Sequence, residues 1–331
     1  MEATEVDKAL ATLLRRALLR KSGDGFSVHR LTQEIIRAAD QQPNDSAAAA
    51  IRLLDGALIG NPQHDVQHWP RYAALLPHGA ALFARLPDPP PEFQAASYVS
   101  NELGLFLLCA KGDYPAARLW YERALKLTEA RVGPNHPDLT NYLHNLSELL
   151  RQMGDSTAAK PLVQRALAIS EKASGADQPA VAYRLAGLGL VHENLGELEE
   201  AHRCHQRSRE IWEGAYGPDH PLVAAALSNL AFVLEKRGDQ AGARRCFEQA
   251  LQISLNHEER GADHPDTALD HHNLGAHLLE QGEAAAAETH LARALAIREK
   301  HLDPDHPYIA RTREWLADVR AALGKGNGDE R

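Results

Sequence analysis

Five prolines in near-identical surroundings, Pro137, Pro179, Pro221, Pro265 and Pro307, recur at spacings of 42, 42, 44 and 42 residues, each just ahead of an apolar segment with helical spacing. Self-similarity at a fixed period means one supersecondary unit built several times over, and a unit of this size buries its apolar face only against its neighbours. The chain of 331 residues therefore reads as a stack, and a stack presents a long continuous surface.

Other positions keep the same register. Gly112, Gly154, Gly196, Gly238, Gly282 and Gly324 each fall where an apolar helical pattern runs out, as a left-handed helix terminus requires, and are expected to close the first helix of each pair. Small residues return at Ala117, Ala159, Ala201, Ala243 and Ala287, and again at Ala124, Ala166, Ser208, Ala250 and Ala294, where two helix backbones approach closely. Between them Tyr121, Val163, His205, Phe247 and Leu291 supply bulk. Each unit reads as two antiparallel helices joined through Gly-Asp or Gly-Glu, the second helix somewhat longer than the first.

The segment YPAARLWYERALKLTEARVGPNHPDLTNYLHNLSELLRQMGD and its echoes GPDHPLVAAALSNLAFVLEKRGD and GADHPDTALDHHNLGAHLLEQGE resemble the tetratricopeptide repeat in the long-helix form of kinesin light chains and bacterial signalling proteins. The resemblance covers about residues 93 to 324 and implies an all-α fold, a right-handed α-α superhelical solenoid. The expected division is 1–41, a winged-helix-like piece with a short β-hairpin; 42–92, a helical linker and N-terminal cap; 93–324, repeats with a C-terminal capping helix; and 325–331, a disordered tail.

Composition sets bounds. No apolar run approaches the roughly 20 residues that span a bilayer, and MEATEVDKAL lacks a signal core, so a cytoplasmic protein without a membrane partner is expected. A net charge of -9 without Lys/Arg clusters argues against nucleic acid. Three cysteines are too few for a disulfide framework; Cys204 and Cys246 occupy equivalent places one repeat apart and are expected to be thiols.

Ahead of the repeats, Leu10 to Leu19, the turn Ser22 to Gly25, the alternating Phe26 to His29 and a helix from Leu31 to Ala39 make a helix, hairpin and helix. The phrase GFSVHRLTQEIIR resembles the winged-helix end of STAND-type nucleotide-binding regulators, and HWPRYAALLPHGAAL resembles the segment that introduces their repeats. G-x-x-x-x-G-K-[ST] occurs nowhere in the sequence, so the resemblance implies the sensing half of such a regulator without its nucleotide-hydrolysing part. Helices at Ser46 to Leu58 and Pro70 to Leu86 read as the cap of the first repeat. Tyr308 to Leu323 reads as a first helix without a mate, solvated at Arg311, Arg313, Asp318 and Arg320.

At about 100° per residue, Asn141, Asn145, Glu148 and Gln152 share one helix face while Leu143, Leu146 and Leu150 share the other. In tetratricopeptide repeats that outward face lines the concave groove, and an Asn in the column of Asn145 holds a bound peptide's backbone. Here the column reads Leu103, Asn145, Gly187, Asn229, Asn273 and Trp315. Asn141, Asn145, Tyr183, Leu190, Asn229, Phe232, Lys236, His272, Asn273 and Glu280 are thereby the candidate partner-binding residues. An Asn amide both donates and accepts, which suits the main chain of an extended segment. Glu148, Glu193, Glu235 and Glu280 outnumber Arg151 and Lys236, so the groove reads as mildly acidic and fit for a segment with apolar anchors and a basic residue. The same asparagines also suit bridging between helices, and Tyr183, Leu190 and Phe232 also suit packing between first helices; both readings stay open.

Eighteen histidines invite a metal, with helical pairs at His64 and His68, at His202 and His205, and among His271, His272 and His277. His136, His220, His264 and His306 belong instead to the Asn/Asp-His-Pro phrase that opens a helix. Without His-Glu-x-x-His, Cys-x-x-Cys, a nucleophile elbow or a dinucleotide fingerprint, no catalytic residue, cofactor or metal is expected. The expected function is capture of a protein or peptide by a sensor or adaptor in a signalling assembly, with a separate nucleotide-binding signalling protein as a further partner. A constitutive scaffold without a regulated ligand is the alternative, and a metal-dependent enzyme the remote one.

Overall fold

The computed structural model describes residues 19–22, 25–28, 43–63, 65–86, 92–257, 261–302, 304 and 306–326. They fall into two compact units, Met1–Phe106 and Leu107–Arg331.

In the first unit, β1 (Leu19–Ser22) pairs antiparallel with β2 (Gly25–Val28), Leu19 opposite Val28 and Ser22 opposite Gly25. Of the flanking helices on which a winged-helix reading depends, the one expected over Leu31 to Ala39 lies outside the described residues, as does the one over Leu10 to Leu19 except for Leu19, which opens β1 instead; the proline stretch 87–91 also lies outside them. Three helices follow: α1 (Pro43–Ala57), α2 (Trp69–Phe83) and α3 (Phe93–Phe106). Their core combines aliphatic side chains such as Ile51 and Leu103 with the aromatic Tyr72 and Phe106. The fully buried Tyr72 ring stacks on Phe106 at 5.5 Å, and its hydroxyl donates to the carbonyl of Gly60 at 3.2 Å. Although the repeat pattern assigns α3 to the first repeat, it packs on α1 and α2 and groups with them.

The second unit opens with a π turn, Leu107–Lys111, and continues as α4 (Tyr114–Val132), α5 (Leu139–Gln152), α6 (Ser156–Ser174), α7 (Pro179–Asn194), α8 (Leu198–Tyr216), α9 (Pro221–Lys236), α10 (Gln240–Asn256), α11 (Pro265–Glu280), α12 (Ala284–His301) and α13 (Pro307–Gly326). Odd-numbered helices are the first of each pair and even-numbered ones the second. The result is an all-helical solenoid.

Each tight turn follows from its residues. Gly154, Gly196, Gly238 and Gly282 have φ between +74° and +85°, and the next residue's N–H reaches back to the carbonyl of Leu150, His192, Leu234 or Leu278 at 2.9 Å. This is the Schellman closure, open to glycine because it has no Cβ to clash. Asp155 and Asp239 then cap the second helix by accepting from the N–H groups of Ala158 and Gly242, at 3.0 and 2.8 Å. The second helices have a left-handed glycine of their own at Gly133, Gly175 and Gly217, which the repeat pattern alone did not single out.

The histidines before the prolines are helix caps. Nδ1 of His136, His220, His264 and His306 accepts from the N–H two residues on, at 3.1 to 3.2 Å. At the equivalent Gln178 no side-chain bond forms.

All fifteen residues of the small and bulky columns are buried, at 0 or 1% exposure. The one 44-residue spacing is absorbed after Ala250, where α10 stops at Asn256 and a 3-10 turn, Gly261–Asp263, leads into α11. α13 packs on the preceding pair, with Leu316 and Val319 among Leu274, Leu278 and Leu291, and Arg311, Arg313, Asp318 and Arg320 exposed. Two expectations fail here. Gly324 lies inside α13 without a positive φ and so does not close the helix, and the helix carries Lys325 and Gly326, which were expected in a disordered tail.

Candidate functional site

Side chains 42 or 43 residues apart tie successive first helices together. Arg184 on α7 donates to Asn141 on α5 at 2.5 Å, and Lys236 on α9 pairs with Glu193 on α7 at 2.6 Å. Between α9 and α11, Ser228 donates to Asp270 at 3.3 Å, and His277 Nδ1 lies 2.5 Å from Glu235 Oε1.

A cavity of about 680 Å³ opens along α9, α11 and α13, within the range of sites that hold a small ligand or a few residues of a peptide. Five of the ten candidate residues line it: Asn229 and Phe232 from α9, and His272, Asn273 and Glu280 from α11. Asn273 is only 9% exposed, Asn229 is half-buried, and Phe232 packs edge-on against Phe247 at 5.2 Å.

The other five stand outside that cavity. Asn141 and Lys236 are engaged in the ties between helices. Tyr183, half exposed, has its ring 4.6 Å from that of His144 and carries the Arg184 guanidinium over its face at 5.2 Å. Asn145 and Leu190 are half-buried on α5 and α7.

The acidic lining expected from the sequence is largely neutralised. Glu148 accepts from Arg151 at 2.5 and 2.8 Å; burial alone would raise its carboxyl, but the Arg151 and Gln152 donors hold it below the usual range. Glu193 is bound by Lys236 and Glu235 by His277. Of these partners, only His277 was left out of the charge count along the helix face.

Sequence reasoning missed Arg298, Tyr308 and Arg311, which line the cavity together with Trp315, a residue the groove column included. Arg298 lies on α12, a second helix, and is 3% exposed. Its Nη1 donates to the Thr312 hydroxyl and, at 3.2 Å, to the Tyr308 carbonyl, while the guanidinium stands 5.3 Å over the Tyr308 ring. A signal was available: in the buried column Thr128, Ser170, Trp212, Ser254 and Arg298, only the last is charged. His272 meets Trp315 edge to face at 6.2 Å, its Nδ1 is buried without a partner, and burial, then the charges of Arg298 and Arg311, push it down to about 4.

Cys109, Cys204 and Cys246 are free thiols, and burial pushes Cys204 up to about 11. Among the described residues no three His, Cys, Asp or Glu side chains gather as metal ligands, and no described helix is long and apolar enough to cross a membrane.

The fold is shared with solved structures of low sequence identity. BtubC (BKLC) from P. vanneervenii is 23% identical with a TM-score of 0.55, over 73% of this chain and 96% of that one. A Rap protein complexed with Competence and Sporulation Factor is 13% identical with a TM-score of 0.60, over 89% of this chain and 80% of that one. Kinesin-light-chain-like repeats from Podosopora anserina are 22% identical with a TM-score of 0.49, over 59% and 92%. No curated protein matches the chain. The tetratricopeptide repeat pattern matches residues 94–172, 178–256 and 268–325, well over half of the sequence, and the chain belongs to the tetratricopeptide repeat family.

Proposed function

We propose that the chain is a binding module and not an enzyme, and that its second unit captures an extended or helical segment of a protein partner on the row of first helices. The observation that carries this reading is the cavity along α9, α11 and α13, with the amides of Asn229 and Asn273 in one column and Phe232 and Trp315 beside them. Amides of this kind serve a partner's main chain, and the aromatic rings serve its side chains. Membership of a family whose members mediate protein-protein interactions supports the same reading.

Selection of a displayed dodecapeptide library on the purified chain tests it. Titration calorimetry of the selected peptides should show binding at least about 10-fold weaker to the Asn229→Ala, Asn273→Ala double variant, the loss expected of a hot spot. Equal affinity would remove the cavity from the site.

As a sensor or adaptor, the chain would pass occupancy through its N-terminal residues to a separate nucleotide-binding signalling protein. The likeness of GFSVHRLTQEIIR and HWPRYAALLPHGAAL to STAND regulators supports this role. Co-purification with such a protein that changes when a selected peptide is added would favour the sensor; co-purification indifferent to peptide would favour a constitutive scaffold.

A further inference from the structure

Arg298 is a buried cation in a column that the other repeats fill with Thr128, Ser170, Trp212 and Ser254. Buried charges in proteins are normally paired. Both bonds it makes leave from Nη1 and end on neutral oxygens, and among the described residues no carboxylate pairs with Arg298 or with Arg311, on the adjoining helix. The carboxylates nearby are otherwise occupied: Glu235 is held by His277, and Asp270 accepts from Ser228 and, at 2.5 Å, from Ser254. Asp266 and Glu280 also line the cavity, at opposite ends of α11, and neither pairs with Arg298 or Arg311. His272, 5% exposed and with Nδ1 unpartnered, lines the same cavity.

We infer that this cavity takes the side-chain carboxylate of an acidic residue in the bound segment, with Arg298 as its floor, Arg311 at its rim and the unpartnered His272 as a polar neighbour. A guanidinium has five N–H donors in a planar fork that matches a carboxylate, and an anion set against it relieves the unpaired burial. The cavity is lined by first helices on both sides of α11, so a segment lying along the row passes over Arg298, and a side chain reaches down into it. The inference rests on the groove reading above and narrows it: the charged anchor is acidic, whereas the sequence alone pointed to a basic one.

The test is a positional-scanning library of acetylated, amidated octapeptides, which carry no free carboxyl terminus, probed with the purified chain. One position should select Asp or Glu, and changing that residue to its amide should weaken binding about 10-fold. Arg298→Gln and, separately, the exposed Arg311→Gln should each weaken the acidic peptide and leave the amide peptide unchanged; the Arg311 variant keeps the test valid if the buried change unfolds the protein. Binding without acidic preference, or a preference indifferent to both variants, overturns the inference and leaves the groove reading intact. A parallel library with free carboxyl termini that binds where the amidated one does not overturns the side-chain assignment. No binding by any peptide removes the groove reading and this inference together.

Discussion

Nδ1 of His277 lies 2.5 Å from Oε1 of Glu235, one repeat away, and joins α11 to α9 beneath the cavity. Burial raises the Glu235 carboxyl and the imidazole partly offsets this. His277→Ala would strand that carboxylate and vacate space beside Phe247, whose ring lies 5.5 Å away. It should lower unfolding stability by about 2–4 kcal/mol in urea titration; a loss under about 0.5 kcal/mol would make the pair incidental.

His205 fills the bulky column with both ring nitrogens buried and unpartnered, and it fits because Gly189 lacks a side chain: a Cβ there would come within 2.4 Å of the ring. Leu291 and Gly275 repeat the arrangement two units on, with a Cβ at Gly275 meeting Leu291 at 2.7 Å. His205→Leu should therefore fit and raise stability by about 1 kcal/mol, by removing two unsatisfied polar atoms. Gly189→Ala should cost about 1–3 kcal/mol through overpacking. Much of that should return when it is combined with His205→Ala. Denaturant midpoints check all three.

Burial pushes His144, His205, His271 and His272 down to about 4 from the usual 6.5. Each is neutral in the folded chain, while the unfolded chain takes up a proton as pH falls through 6.5. Their stabilising contribution is thus complete above about pH 6.5 and is lost progressively toward pH 4. The fully enclosed His205 contributes roughly 1 kcal/mol per pH unit in that window. Melting temperature should fall between pH 6.5 and 4.5, less steeply in His205→Leu; a flat profile would show that the imidazoles titrate normally.

Gly154 and Gly324 look alike in the sequence and are opposite in structure. At Gly154 φ is +83°, and a methyl added at either site would have nothing within 4 Å, so alanine reports the backbone alone. Gly154→Ala should destabilise by about 1 kcal/mol, and Gly324→Ala, inside α13, should stabilise by roughly 0.5–1 kcal/mol. Equal signs in thermal melts would contradict the assigned helix end.

The fold was legible because its signals are local and repeated. Gly154, Gly196, Gly238 and Gly282 mark turns, His220 and His264 cap helices, and Ala159 or Ala243 shows where backbones meet. The candidate site was legible in part. A helix face identified Asn229, Phe232, His272, Asn273 and Glu280, which the cavity gathers, but it also nominated Asn141 and Lys236, whose side chains are taken up by Arg184 and Glu193. Arg298 escaped because it belongs to a second helix, where the pattern assigned only packing.

Periodicity by itself determined the helix pairs, their turns and the buried columns, because each depends on backbone geometry and side-chain size within one repeat. Which polar residues on the outward face are spent on one another, and which remain for a ligand, was decided only by the tertiary structure. Partners such as Glu235 and His277 are a whole repeat apart in the chain, and stacking is what brings their charges within bonding distance.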